Sequence, residues 1–182
     1  MRNPLYAEIM KININTANKF LSIYKTFLLE LYERKEDKTN EELSLTQKLI
    51  IGREVFSNKR SSLQSFVKRH KATNFPTEII NAIESIEIGK WVYLKDTSHY
   101  SVFIKGDGTS GFGVLGLTDK IREIVTEPGS VVLTGIMKIN GQYVADGLFV
   151  SLAVLGHNYK NEFKEIYKSL KMNGEFKTKN RV

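Results

Sequence analysis

Between Trp91 and Leu155 the chain carries five short runs rich in β-branched and aromatic residues, with one helix-like stretch between the third and the fourth. Turn chemistry separates them, which marks each run as a strand. Trp91–Leu94, His99–Lys105 and Phe112–Leu117 read as the first three. Thr118–Thr126 fits a short helix with Thr118 as its cap, stopped by Glu127-Pro128-Gly129. Val131–Ile139 and Gln142–Leu155 then flank Asn140-Gly141, the strongest two-residue hairpin signal there is. A two-residue turn sets Ile139 opposite Gln142 and Met137 opposite Val144, and Asp146-Gly147 marks a bulge or bend in the second arm.

That order, β-β-β-α-β-β, is the one a small Greek-key barrel of the OB type uses. Only one of the 13 glycines, Gly52, precedes Gly89, while 106–116 holds five. Glycine disfavours helix interiors, so the first half reads as helical. The expected fold class is α+β: a helical region over 1–88, a small five-stranded antiparallel barrel or sheet over 89–156, and a basic C-terminal helix and tail over 157–182.

In the helical region, Asn3-Pro4 offers a helix start, and Leu5, Ile9, Ala17, Phe20, Leu21, Tyr24, Phe27, Leu28, Leu31 and Tyr32 form an amphipathic stripe. Asn13, Asn15 and Asn18 are weak helix formers that can break it in two, and Arg34–Glu42 reads as a solvated connection. A second helix over Ser44–Phe56 is expected to bury Leu45, Leu49 and Val55. Ser61-x-x-Gln64 fits a capping box for a third helix, and Thr77 a cap for a fourth with Ile79, Ile83 and Ile86 inward. The last helix, from Asn158 to Met172, carries Phe163, Ile166, Tyr167 and Leu170 on its apolar side.

Composition removes several chemistries. With no cysteine there is no disulfide, thiolate metal site or catalytic thiol. The start lacks a secretory signal pattern and no apolar run approaches a bilayer-spanning length, so a cytoplasmic protein without a membrane partner is expected. The net charge of +7 is uneven. Residues 89–156 hold six basic and six acidic side chains, 1–88 hold 14 and 11, and 157–182 hold seven and three. A basic surplus on the flanks favours polyanions such as DNA or RNA.

Motifs for catalysis are absent. Gly106-Asp-Gly108-Thr-Ser-Gly111 has the letters of a dinucleotide fingerprint but runs into a strand where that motif needs a helix, so a hairpin turn explains it better. His70, His99 and His157 lack metal-ligand spacing, and Asp96-Thr-Ser98-His99 reads as a polar turn. Asp146 stands out as an acid inside an apolar arm. Lys59, Arg60, Lys68, Arg69 and Lys71 occur with no acid between Val55 and Thr77, and with Lys164, Lys168 and Lys171 of the last helix they are the candidate phosphate contacts. Trp91, Tyr93, Tyr100, Phe103 and Phe112 could include a base-stacking platform. The expected function is a non-enzymatic, nucleic-acid-associated binding protein with no cofactor and no metal. The competing reading is an interaction or regulatory module that forms a homodimer through the N-terminal amphipathic helix.

Overall fold

The computed structural model describes residues 10–35 and 42–179. The Asn3-Pro4 helix start and most of the charged run after Lys35 lie outside them. The chain is α+β, and among the described residues it has six α-helices and a seven-stranded mixed sheet. It divides into two compact units: Asn15–Ser85, and the described residues of Met1–Ile14 with Ile86–Val182.

The helical unit contains α1 (Ile14–Glu33), α2 (Leu45–Asn58), α3 (Ser62–Arg69), a 3-10 turn at Lys71–Thr73 and α4 (Thr77–Glu84). The stripe of α1 is consumed inside the chain: Ala17, Phe20, Tyr24, Phe27, Leu28, Leu31 and Tyr32 are all buried. Phe27 sits at its centre, with its ring 5.1 Å from both Phe56 and Phe66. The face of α2 differs from expectation, since Gly52, Arg53 and Phe56 are buried while Leu45 is exposed. Gly52 explains the rotation. A Cβ there would collide with the Leu28 carbonyl oxygen, so α1 and α2 meet backbone to backbone at this residue and it must face inward.

The capping box is also elsewhere. Ser44 and Gln47 form it at the start of α2, with Gln47 N donating to Ser44 Oγ at 3.3 Å and Ser44 N to Gln47 Oε1 at 2.8 Å. Ser61 has helical backbone angles and makes no side-chain cap. Pro76 rather than Thr77 occupies the cap position of α4.

In the second unit, Lys11 forms an isolated parallel β-bridge with Gly116 where a helix was expected. Ile12 N donates to the Gly116 oxygen at 3.1 Å and Gly116 N to the Met10 oxygen at 3.0 Å. The strands are β1 (Glu87–Asp96), β2 (Ser101–Lys105), β3 (Gly111–Leu115), β4 (Ser130–Ile139), β5 (Gln142–Ala145), β6 (Val150–Val154) and β7 (Phe176–Lys177). Between β3 and β4 lies α5 (Ile121–Ile124), and α6 (His157–Met172) precedes β7.

β1 pairs with β2, β2 with β3, β3 with β5, β5 with β4, and β4 returns to β1, so these five strands close a ring. The expected five antiparallel strands become seven in a mixed sheet, because β3 runs parallel to both β5 and β7. The Asn140-Gly141 turn has positive φ at both residues, and Ile139↔Gln142 and Met137↔Val144 pair as the turn dictates. The predicted second arm of that hairpin is broken. β5 follows the C-terminal half of β4, while β6 pairs with its N-terminal half.

Inside the ring lie Trp91, Tyr93, Phe103, Phe112, Val114, Val132, Ile136 and Ala145, with Ile121 and Val125 from α5 and its end. Outside, α6 lays Tyr167 and Leu170 over Leu94, Val102 and Ile104.

Asp146 makes the break between β5 and β6. It is 1% exposed, its Oδ1 accepts from Thr134 Oγ1 at 3.2 Å and from Leu148 N at 3.0 Å, and its own N donates to the Gly135 oxygen at 2.8 Å. This acid is a folded corner, held on β4. Asp146→Ala strands a buried hydroxyl and an amide, so it should cost about 2–3 kcal/mol of unfolding free energy. Chemical denaturation beside Asp119→Ala, at an exposed turn and expected within about 0.5 kcal/mol of the parent, checks it.

Candidate anion-binding pocket

α3 presents three faces in its eight residues, and they sort the expected cations. Leu63 and Phe66 point into the helical core, and His70 follows them, its ring 4.6 Å from Phe66. Ser62, Ser65 and Arg69, at spacings of three and four, line one pocket; Gln64, Lys68 and Lys71 line another.

The first pocket, of about 270 Å³, is walled by Leu31, Arg34 and Lys35 from the end of α1, Val55 and Lys59 from the end of α2, and the α3 face. Among the described residues that line it, four of eight are cations and none is acidic. Two helices bring their C-termini here, where the macrodipole favours positive charge. Ser62 Oγ donates to the Lys59 oxygen at 2.6 Å, tying the wall together. Ser65 Oγ makes a longer bond, 3.4 Å to the Ser61 oxygen, which a bound anion can outcompete.

Glu30 fixes the two arginines. Its Oε1 accepts from Arg34 Nε at 3.0 Å and from Arg69 Nε at 2.8 Å, and His70 Nε2 lies 2.8 Å from Oε2. Burial alone would raise this carboxyl. Hydrogen bonds from His70 and Arg69 and the charges of Arg69 and Arg34 outweigh it and hold the group below its ordinary value of 4.5. Lys35 and Lys59 form no ion pair among the described residues, and both are exposed.

The remaining candidates fall elsewhere. Arg60 lies over the Phe56 ring at 4.1 Å and donates to the Glu84 oxygen at 2.8 Å, so it closes the core. Lys68 and Lys71 border a groove of about 330 Å³ floored by Leu63, Val67 and Ile80. On α6, Lys164 donates to Asn161, Lys168 pairs with Glu165 at 2.7 Å, and Lys171 sits 5.6 Å from the Tyr167 ring. That stripe is a locally paired, solvated face.

No stacking platform forms from the five expected aromatics. Trp91, Tyr93, Phe103 and Phe112 are buried inside the ring, and Tyr100 packs beside Phe176 under α6. Tyr143 is half-buried, 4.6 Å from Phe112 and with Lys138 Nζ 6.0 Å from its centre, and Tyr159 on α6 is 62% exposed.

Gly106–Gly111 is the hairpin loop between β2 and β3, with Asp107 Oδ1 accepting from Thr109 N at 3.0 Å. Ser98 Oγ does lie 2.8 Å from His99 Nδ1, but Asp96 is spent on Tyr93 and Ser101 at 3.0 and 2.7 Å, so no acid orients that imidazole. Among the described residues no cluster of histidine and carboxylate side chains could hold a metal, and no helix is long and apolar enough to cross a membrane.

Comparison with protein-family models, curated proteins and solved structures found no match.

Arg34, Lys35, Ser62 and Ser65 were not expected at the site. Arg34 and Lys35 open a charged run whose position beside α2 and α3 is a tertiary fact. Because the Glu30 carboxyl is depressed in the folded chain, its stabilisation is full above the ordinary value of 4.5 and is lost as pH falls through the folded value. Glu30→Gln should therefore cost about 1–2 kcal/mol near neutral pH. The difference from the parent should shrink steadily in melts recorded at acid pH.

Proposed function

We propose that this protein is a non-enzymatic, nucleic-acid-associated protein that holds phosphate groups in the helical unit. The observation that carries the reading is the pocket itself: Arg34, Lys35, Lys59 and Arg69 come from three helices to one opening, with no acid among the described lining residues. Two guanidiniums anchored on Glu30 offer preorganised donors, and the exposed ammonium groups of Lys35 and Lys59 add further positive charge. The second unit supports the same reading through topology. The ring order β1-β2-β3-β5-β4, with a helix between β3 and β4, supports reading this unit as an OB-like barrel. With Trp91, Tyr93, Phe103 and Phe112 turned inward, the proposed binding relies on the phosphate backbone and is indifferent to base sequence.

Fluorescence anisotropy with labelled single- and double-stranded DNA and RNA tests this across a salt series. Affinity should fall steeply with salt as counterions are released. Lys35→Glu with Lys59→Glu should weaken binding about tenfold or more and lower the log–log salt slope by about two. Lys168→Glu, already paired on α6, should change little. No binding at low salt, or binding untouched by the Lys35 and Lys59 changes, overturns the proposal.

A further inference from the structure

β6 pairs only with β4 among the described residues and stands at the end of the strand path. Its other edge therefore presents unpaired backbone donors and acceptors. Ser151, Leu152, Ala153 and Val154 are all exposed, Leu152 at 46% and Val154 at 50%. From Gly147 to Gly156 there is no charged residue and no proline. Proteins guard such edges with charge, proline or a bulge. Here charge and proline are both absent, and the strand carries a bulge: Val131 pairs with Ala153 and Val132 with Ser151, so Leu152 is the extra residue.

What fits an open backbone edge is another strand, and two features identify it as β6 of a second copy. The first is chemical symmetry about the bulge. Reading Val150-Ser151-Leu152-Ala153-Val154 outward from Leu152 gives small residues on both sides and then valine on both sides. An antiparallel pair about a two-fold axis at Leu152 sets Val150 against Val154 and Ser151 against Ala153, with both bulges on the axis. The flanking pairs stay in register, and opposed β-branched residues are a favourable cross-strand pair. A regular strand from another protein would meet the bulge off-centre. The second feature is charge. Two chains of net charge +7 repel, and this uncharged ten-residue segment lets them approach without opposing like charges.

We propose that the protein self-associates as an isologous dimer through antiparallel β6–β6 pairing centred on Leu152. A five-residue edge makes a small interface, so dimerisation is concentration-dependent.

Sedimentation equilibrium of the full chain from micromolar to millimolar concentration should show a monomer–dimer equilibrium. Leu152→Lys, which brings two ammonium groups together at the axis, should weaken it about tenfold or more. Its melting curve should match the parent, since Leu152 is exposed. The chain has no cysteine of its own, so single-cysteine variants report the register. Residues facing at the axis lie within disulfide reach, about 4.5–5.5 Å between Cα atoms. Two positions from the axis the copies are about 13 Å apart. Under mild oxidation Leu152→Cys should give a covalent dimer and Val154→Cys should not. A monomer at every concentration, association unaffected by Leu152→Lys, or cross-linking at Val154→Cys in preference to Leu152→Cys overturns the proposal.

Discussion

The pairing of β1 with β4, seven positions from Glu87↔Ile136 to Tyr93↔Ser130, turns a sheet into a ring. Without it β1 would be an edge and the inner face would need a separate layer to cover it. With it, inward side chains cover one another, and the enclosed space is small enough for four large aromatics to fill much of it. Closure sets their direction: Trp91 and Tyr93 alternate inward on β1, Phe103 does so on β2 and Phe112 on β3. It also has a cost. The Trp91 indole N–H is buried without a hydrogen-bond partner among the described residues, worth about 1–3 kcal/mol. Filling the ring outweighs satisfying that donor.

Where the aromatics go decides what each unit can do. The outer face of β1 and β2 lies under α6, whose Tyr167 and Leu170 join Leu94, Val102 and Ile104, and burial then pushes the Tyr167 phenol up to about 12. Neither face of those strands is left to stack bases. In the helical unit the core aromatics Phe27, Phe56 and Phe66 hold the ends of α1, α2 and α3 near one another. Cations are favoured at two of those ends by the macrodipole, so one packing arrangement accounts for both the cluster and its place.

What could be read from the amino-acid order follows the range of the forces involved. Asn140-Gly141 and its register are local: two residues of positive φ dictate which neighbours face each other. The inward isoleucines of α4 are equally legible from their spacing. The division of β5 from β6 is not, because Asp146 turns the chain only by reaching Thr134 on another strand. The rotation of α2 depends on the Leu28 backbone, 24 residues away from Gly52, and hydropathy cannot register a glycine that is buried for closeness. In the pocket, Lys59 and Arg69 were visible as part of an acid-free run, whereas Arg34 and Lys35 belong to a charged stretch that resembles any solvated connection.

Glu30 separates the cations of that pocket into two kinds. An arginine bound through Nε to a carboxylate loses its rotamer freedom in the folded chain, and its remaining N–H groups are fixed in direction before any ligand arrives. Arg34 and Arg69 are of this kind, and His70 completes the hold on the carboxylate. Lys35 and Lys59 keep long flexible stems and strongly hydrated heads. On the proposed reading, the fixed guanidiniums would hold one phosphate and the exposed ammonium groups would follow the charge of its neighbours along a strand. On that reading neither would contact a base edge, so charge density and spacing would count for more than sequence.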